Sequence, residues 1–220
     1  MTSFEAQVTS VNRYLSARYD AAFADEVCEI ARSEYRKLVP QLPNIGGQAH
    51  PGYKYLLLAA QWVAFLRPMN ARGHGPEETA RMMYDIFVAD LENAPRKELT
   101  RQGELFFSNE YTKMMQTWCA HSKTQQTGDW VVDFIPGEGD RFDHGLDFHY
   151  CPCVEFFKFQ GAESIAPYFC LLDFAEHRLM GTGLRRTKTL AEGDEICDFR
   201  YKKGRAVSQD WSTEVPRFKT

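Results

Sequence analysis

At Gly128 the hydrophobic period of this 220-residue chain changes, and that change restricts the accessible folds more than any other feature. Before it, apolar residues recur at three- and four-residue steps. Phe23, Val27, Ile30, Ala31 and Leu38 make one such stripe between Asp20 and Leu38. The apolar run Tyr55 to Leu66 predicts a buried helix ending before Pro68. Pro76 with Glu77 and Glu78 opens another, since proline needs no partner in a first turn and carboxylates complement its positive end. Phe107, Tyr111, Met114 and Trp118 place one last long helix over Arg96 to Ser122. After Gly128 the β-branched and aromatic run WVVDFI, the turn PGEGDR and the segment GLDFHY predict a strand pair.

Pro152 then starts a short helix through Phe159, Gly161 breaks it, and a single longer helix is expected from Glu163 to Met180. LRRTKTL and EICDFRY, joined by AEGD, read as a second hairpin. The expected class is α+β: a helical N-terminal half packed on a small, mainly antiparallel four-stranded sheet with two inserted helices. Its parts are a helical 1–125, an α+β 126–204 carrying the site, and a surface-draped tail 205–220, forming one unit overall.

A net charge of -4 supplies no general basic field, so a nucleic-acid partner is not expected. The longest apolar stretch is too short to span a bilayer and Gln61 interrupts it, so no membrane partner is expected either. The first residues lack the apolar core of a secretory signal, which predicts a cytoplasmic protein. Six cysteines in such a chain predict reduced thiols rather than a disulfide framework. The remaining partner is a small-molecule substrate, and a homo-oligomer is compatible with this composition.

Four of those cysteines, Cys151, Cys153, Cys170 and Cys197, crowd into the C-terminal third. On one continuous helix Cys170, Asp173 and His177 would stand at i, i+3 and i+7, along one face. That spacing also suits a buried small hydrophobe beside two solvated residues. His149 and Cys151 sit two apart at a strand end, and Cys151 precedes the helix start at Pro152. The positive helix end favours a thiolate there, although a capping or packing cysteine fits equally. Zinc or another divalent metal is an alternative, because His149, Cys151, Cys153, Cys170, His177 and Cys197 are all ligand types. No paired C-x-x-C is present, however, so the expectation is no metal and no cofactor. Arg185 and Arg186 face opposite sides of a strand, so one can point inward and offer a carboxylate a planar fork.

The chain from Cys151 reads CPCVEFFKFQGAESIAPYFCLLDFAEHRL and then RRTKTLAEGDEICDFRY. This resembles the C-terminal signature of the L-2-amino-thiazoline-4-carboxylic acid hydrolase family. The resemblance is carried by Cys151, Glu155, Phe156, Cys170, Asp173, Arg186, Thr187, Thr189, Gly193, Cys197, Asp198 and Phe199. Cys153 and His149 depart from the family pattern and leave room for a different substrate. The resemblance implies hydrolytic opening of a small cyclic amidine or thiazoline, such as 2-aminothiazoline-4-carboxylate to N-carbamoyl-cysteine. It implies a nucleophile or ligand role for Cys151 or Cys170, with Cys197 beside them. On our assignment the proton transfers are expected from Asp173 and His177, and substrate binding from Arg186, Thr189 and His149. The G-x-x-x-C-D-F hairpin is also similar to that of 4-vinyl reductase-type ligand-binding domains. A non-catalytic small-molecule or metal-sensing domain, or an accessory isomerase or cyclase of a biosynthetic pathway, is therefore the alternative.

Overall fold

A computed structural model of the protein describes residues 3–124 and 128–219, so the expected 125/126 boundary lies outside the described residues. In chain order come α1 (Phe4–Arg18), α2 (Ala21–Leu38), α3 (Tyr53–Asn70), α4 (Pro76–Glu92), α5 (Arg96–Leu105) and α6 (Asn109–Ser122). Strands β1 (Val131–Pro136) and β2 (His144–Tyr150) follow. Then come α7 (Pro152–Phe159), α8 (Ala166–Phe169), α9 (Leu172–Met180), β3 (Cys197–Tyr201) and α10 (Trp211–Glu214). The class is α+β. Two units divide the chain, and neither is continuous: one takes residues up to Phe87 with Cys153–Phe169, the other Val88–Pro152 with residues from Cys170 onward.

In the first unit, α2 lies between α1 and α3. The Asp20 carboxylate caps α2 by accepting from Phe23 N–H at 2.8 Å. Its stripe buries Ala24, Val27, Cys28, Ala31 and Leu38. Helix α3 is apolar almost all round and correspondingly buried, from Leu56 through Trp62 and Phe65 to Met69. It does not stop before Pro68 but carries that residue inside its last turns and ends at Asn70. A proline ring removes one N–H, and the turn beyond it still closes through Ala71 N–H to Arg67 O at 3.1 Å.

In the second unit the strands form one antiparallel sheet in the order β1-β2-β3. Leu146 faces Phe199 and Phe148 faces Cys197 across β2 and β3. By alternation, His144, Leu146, Phe148, Cys197, Phe199 and Tyr201 share one face, while Asp147, His149, Asp198 and Arg200 share the other. Helix α6 docks on β1 through Ser122, whose hydroxyl accepts from Val132 N–H at 3.0 Å beside a bulge.

The sheet has three strands among the described residues, not the expected four. LRRTKTL makes only an isolated bridge, Arg185 to Arg200. Past that bridge, side chains capture the backbone groups that a ladder would use. Asp198 accepts from Thr187 N–H and Lys188 N–H at 2.7 and 2.6 Å, and Asp194 accepts from Thr189 N–H at 2.7 Å. The single helix expected over Arg96 to Ser122 is broken, because Ser108 caps a new start and accepts from Tyr111 N–H at 3.1 Å. The helix expected from Glu163 to Met180 is likewise α8 and α9, with Cys170 and Leu171 forming the turn between them. The tail is not merely draped: Val207, Glu214 and Val215 are buried, and α10 carries a capping box at Asp210.

Helices α5 and α9 meet at Gly103. A β-carbon there would stand 1.8 Å from the Met180 carbonyl oxygen. At an open helix position, glycine to alanine gains about 1 kcal/mol. Here overpacking dominates, so Gly103→Ala is expected to cost about 2 kcal/mol. Urea denaturation measures it, and a stabilised variant would contradict the described approach of the two helices.

Candidate functional site

Arg186 is the most deeply set charge in the C-terminal third. Alternation from the exposed Arg185 turns it inward, where it is 5% exposed. Its backbone is held by the Gln209 amide: Arg186 N–H donates to Oε1 at 3.0 Å, and Nε2 donates to Arg186 O at 2.6 Å. The guanidinium stands over the Phe174 and Phe199 rings, 4.8 and 5.1 Å from their centroids. Nη1 donates to Asp173 Oδ2 at 2.7 Å and Nη2 to Cys170 O at 3.0 Å. The turn at Cys170 matters here, because a carbonyl inside an unbroken helix would be committed to its own ladder. Burial opposes the charge, but Asp173, Cys170 and Cys197 outweigh it and hold the guanidinium above its ordinary value.

Asp173 gives one oxygen to this pair. The side chain remains 36% exposed, and its Oδ1 makes no hydrogen bond among the described residues. Desolvation raises the carboxyl above its usual range against the pull of Arg186. Beside it, the Thr189 hydroxyl stands between two thiols, donating to Cys170 Sγ at 3.9 Å and accepting from Cys197 Sγ at 3.6 Å. Thr189 also caps the short turn Leu190–Glu192, and Leu190 N–H reaches Cys197 Sγ at 3.2 Å. Burial raises both thiols against the opposing pull of Arg186. Cys170 and Cys197 are therefore protonated near neutral pH, which argues against either as a ready thiolate. Cys151 is only half-buried and directly precedes α7.

His177, on α9 with Asp173, faces a different neighbourhood. Its Nδ1 lies 2.6 Å from Thr182 Oγ1, which itself lies 3.3 Å from His177 O. The hydroxyl has a single hydrogen, which goes either to the ring or to that carbonyl, and the tautomer of the imidazole decides which. Burial, Arg186 and His144 push His177 down to about 3. His144, which sequence reasoning passed over, is buried with Nε2 unpartnered among the described residues. Phe106 and Tyr201 contact both imidazoles, with centroids 4.7 to 5.4 Å apart in this group. The signal for His144 was its even spacing with Leu146 and Phe148. Nothing in the sequence marked Gln209.

The remaining candidates lie elsewhere. His149 is on the sheet face opposite Cys197, 44% exposed, and pairs with Asp133 at 3.0 Å. Cys153 and Phe156 are buried in the first unit, where Glu155 pairs with Lys158 at 2.9 Å. Asp198 serves the backbone at Thr187 and Lys188. None of the six cysteines is joined in a disulfide. No group of three or more His, Cys, Asp or Glu side chains among the described residues is arranged to hold a metal ion, and no described helix is long and apolar enough to cross a membrane.

A family model described as L-2-amino-thiazoline-4-carboxylic acid hydrolase matches residues 54–201, well over half of the chain. No curated protein and no solved structure matches it.

Two imidazoles held neutral, buried His144 and part-buried His177, set an acid limit on stability. Unfolded histidines ionise near pH 6.5, and both folded values lie below that. Their stabilising contribution is complete above about pH 6.5 and is lost as the pH falls toward about 3. His144→Phe removes the orphaned nitrogen and keeps the ring contacts. It is expected to stabilise the fold by about 1 kcal/mol at pH 7 and to flatten the loss between pH 7 and pH 5. Denaturant titrations at the two pH values check both, and a destabilised variant would show that Nε2 has a partner.

Proposed function

The chain belongs to the L-2-amino-thiazoline-4-carboxylic acid hydrolase family, and from that premise we propose that it hydrolyses a small cyclic amidine of the thiazoline type at Asp173. The observation that carries the reading is the half-open Asp173 carboxylate, one oxygen fixed by buried Arg186 and the other free. Water is a weak nucleophile toward an amidine carbon and needs a base within hydrogen-bond reach. A carboxyl raised by burial retains more basicity than one in open solvent. In this scheme Asp173 takes a proton as water adds to the ring carbon between nitrogen and sulfur. As the carbon–nitrogen double bond opens, that proton passes to the ring nitrogen; the tetrahedral adduct then collapses, its hydroxyl becoming the carbonyl as the carbon–sulfur bond breaks, and the hydroxyl proton passes to the departing sulfur. The product carries one added water, as in N-carbamoyl-cysteine from 2-aminothiazoline-4-carboxylate.

Direct attack by Cys170 or Cys197 is disfavoured in this scheme, because both are protonated near neutral pH. They and Thr189 instead offer soft, uncharged groups near Asp173, suited to a ring sulfur. Cys151 remains the thiol placed for covalent chemistry, at a helix start. Arg186 is assigned to holding Asp173 rather than to clamping a substrate carboxylate, since Asp173 and the Cys170 carbonyl already occupy it.

The purified protein, incubated with a panel of cyclic amidines and thiazolines, is expected to convert at least one to a product heavier by one water. Asp173→Asn keeps the volume and removes the base, so turnover should fall at least about a hundredfold while ligand binding persists. Cys151→Ser tests the covalent route in parallel. Failure of every substrate, with the same substitutions altering only affinity or melting temperature, would leave a binding module as the better reading.

A further inference from the structure

We infer that Gln209 is a positioning residue: its amide sets the place of Arg186, and through Arg186 that of the Asp173 carboxylate. The inference rests on the reading of Asp173 as the working carboxylate only for its effect on turnover. The geometric part stands on the structure alone.

A primary amide is the one neutral side chain that offers an acceptor and donors side by side, matching the edge of a peptide. Gln209 presents both to one residue, at 3.0 Å to Arg186 N and 2.6 Å to Arg186 O. It stands where the next strand of the sheet would stand. Arg185 is bridged to Arg200 of β3 by two backbone hydrogen bonds, at 2.8 and 2.9 Å, and Arg186 presents its own N–H and carbonyl to the opposite edge, where Gln209 meets them. The guanidinium is at the end of a long side chain, and its contact with Asp173 at 2.7 Å tolerates little drift of the backbone that carries it.

The other half of the ion pair is tied to the same strap. Arg178, on α9 with Asp173, donates from Nε to Val207 O at 3.3 Å and from Nη2 to Gln209 O at 2.8 Å. It also lies 3.7 Å from the Asp210 carboxylate, which caps α10. Buried Val207 anchors the near end of the strap. One stretch, Val207 to Asp210, therefore grips the element bearing Asp173 through Arg178 and the segment bearing Arg186 through Gln209. The family match ends at residue 201, so this grip comes from outside the matched region.

The test is Gln209→Met in the full chain, which keeps the length of the side chain and removes both hydrogen bonds. Two readouts do not depend on any substrate: hydrogen exchange at the Arg186 amide, and titration of Asp173 followed by carbonyl-carbon NMR, assigned with Asp173→Asn. The amide should exchange at least tenfold faster. Because Arg186 lowers the Asp173 value, a loosened Arg186 should move that titration to higher pH. The acid limb of turnover should move with it. Ile86→Val, in the other unit, controls for general destabilisation and should leave the Asp173 titration in place. An unchanged Asp173 titration in Gln209→Met overturns the inference. A shifted titration with unchanged turnover upholds the grip of Gln209 and rejects Asp173 as the working carboxylate.

Discussion

A guanidinium cannot escape burial by giving up its proton, so a chain that buries one must build a complete set of partners around it. Arg186 is such a group, and much of the second unit is arranged to satisfy it. The break between α8 and α9 frees the Cys170 carbonyl, α9 brings Asp173, and Phe174 and Phe199 cover the guanidinium from α9 and β3. An ion pair of this kind adds little net stability, because desolvation consumes most of the attraction. Its effect is one of placement: few arrangements of these segments satisfy the charge, and the rest leave it unpaired.

The missing fourth strand follows from the same economy of polar groups. Edge backbone must be paired, and in this protein side chains often do the pairing. Gln209 serves Arg186, Asp198 serves Thr187 and Lys188, and Ser122 serves Val132 beside the bulge in β1. Such contacts fix individual residues without extending a ladder. They let the segment from Arg185 turn away from the sheet and bring the Thr189 hydroxyl between two thiols.

Legibility in the sequence divided along physical lines. Period and capping signals are local, so the switch from helix to strand near Gly128, the helix starting at Pro76, and α7 from Pro152 to Phe159 all emerged with their places nearly right. Helix breaks were missed where a polar residue inside an apolar pattern acts as a cap, as Ser108 does, or where a distant side chain recruits a carbonyl, as Arg186 does at Cys170. Within the site, alternation set Arg185 and Arg186 on opposite sides, and the family resemblance, not the alternation, singled out Arg186 as the inward one. The partner of Arg186 could not be read that way, because an inward arginine looks the same whether it meets a substrate carboxylate or Asp173. Gln209 was out of reach altogether: its role depends on a chain reversal that leaves no periodic trace.

Both units are assembled from separated pieces of chain, with the path changing unit after Phe87, Pro152 and Phe169. During synthesis the first unit therefore cannot be completed when its N-terminal helices emerge. It must wait for Cys153–Phe169, by which time β1 and β2 of the other unit are already made. Vectorial, unit-by-unit folding of the sort available to a chain of consecutive domains is closed to this one. For the same reason no single cut in the polypeptide releases either unit whole, and a fragment ending at any of these crossings carries an open core.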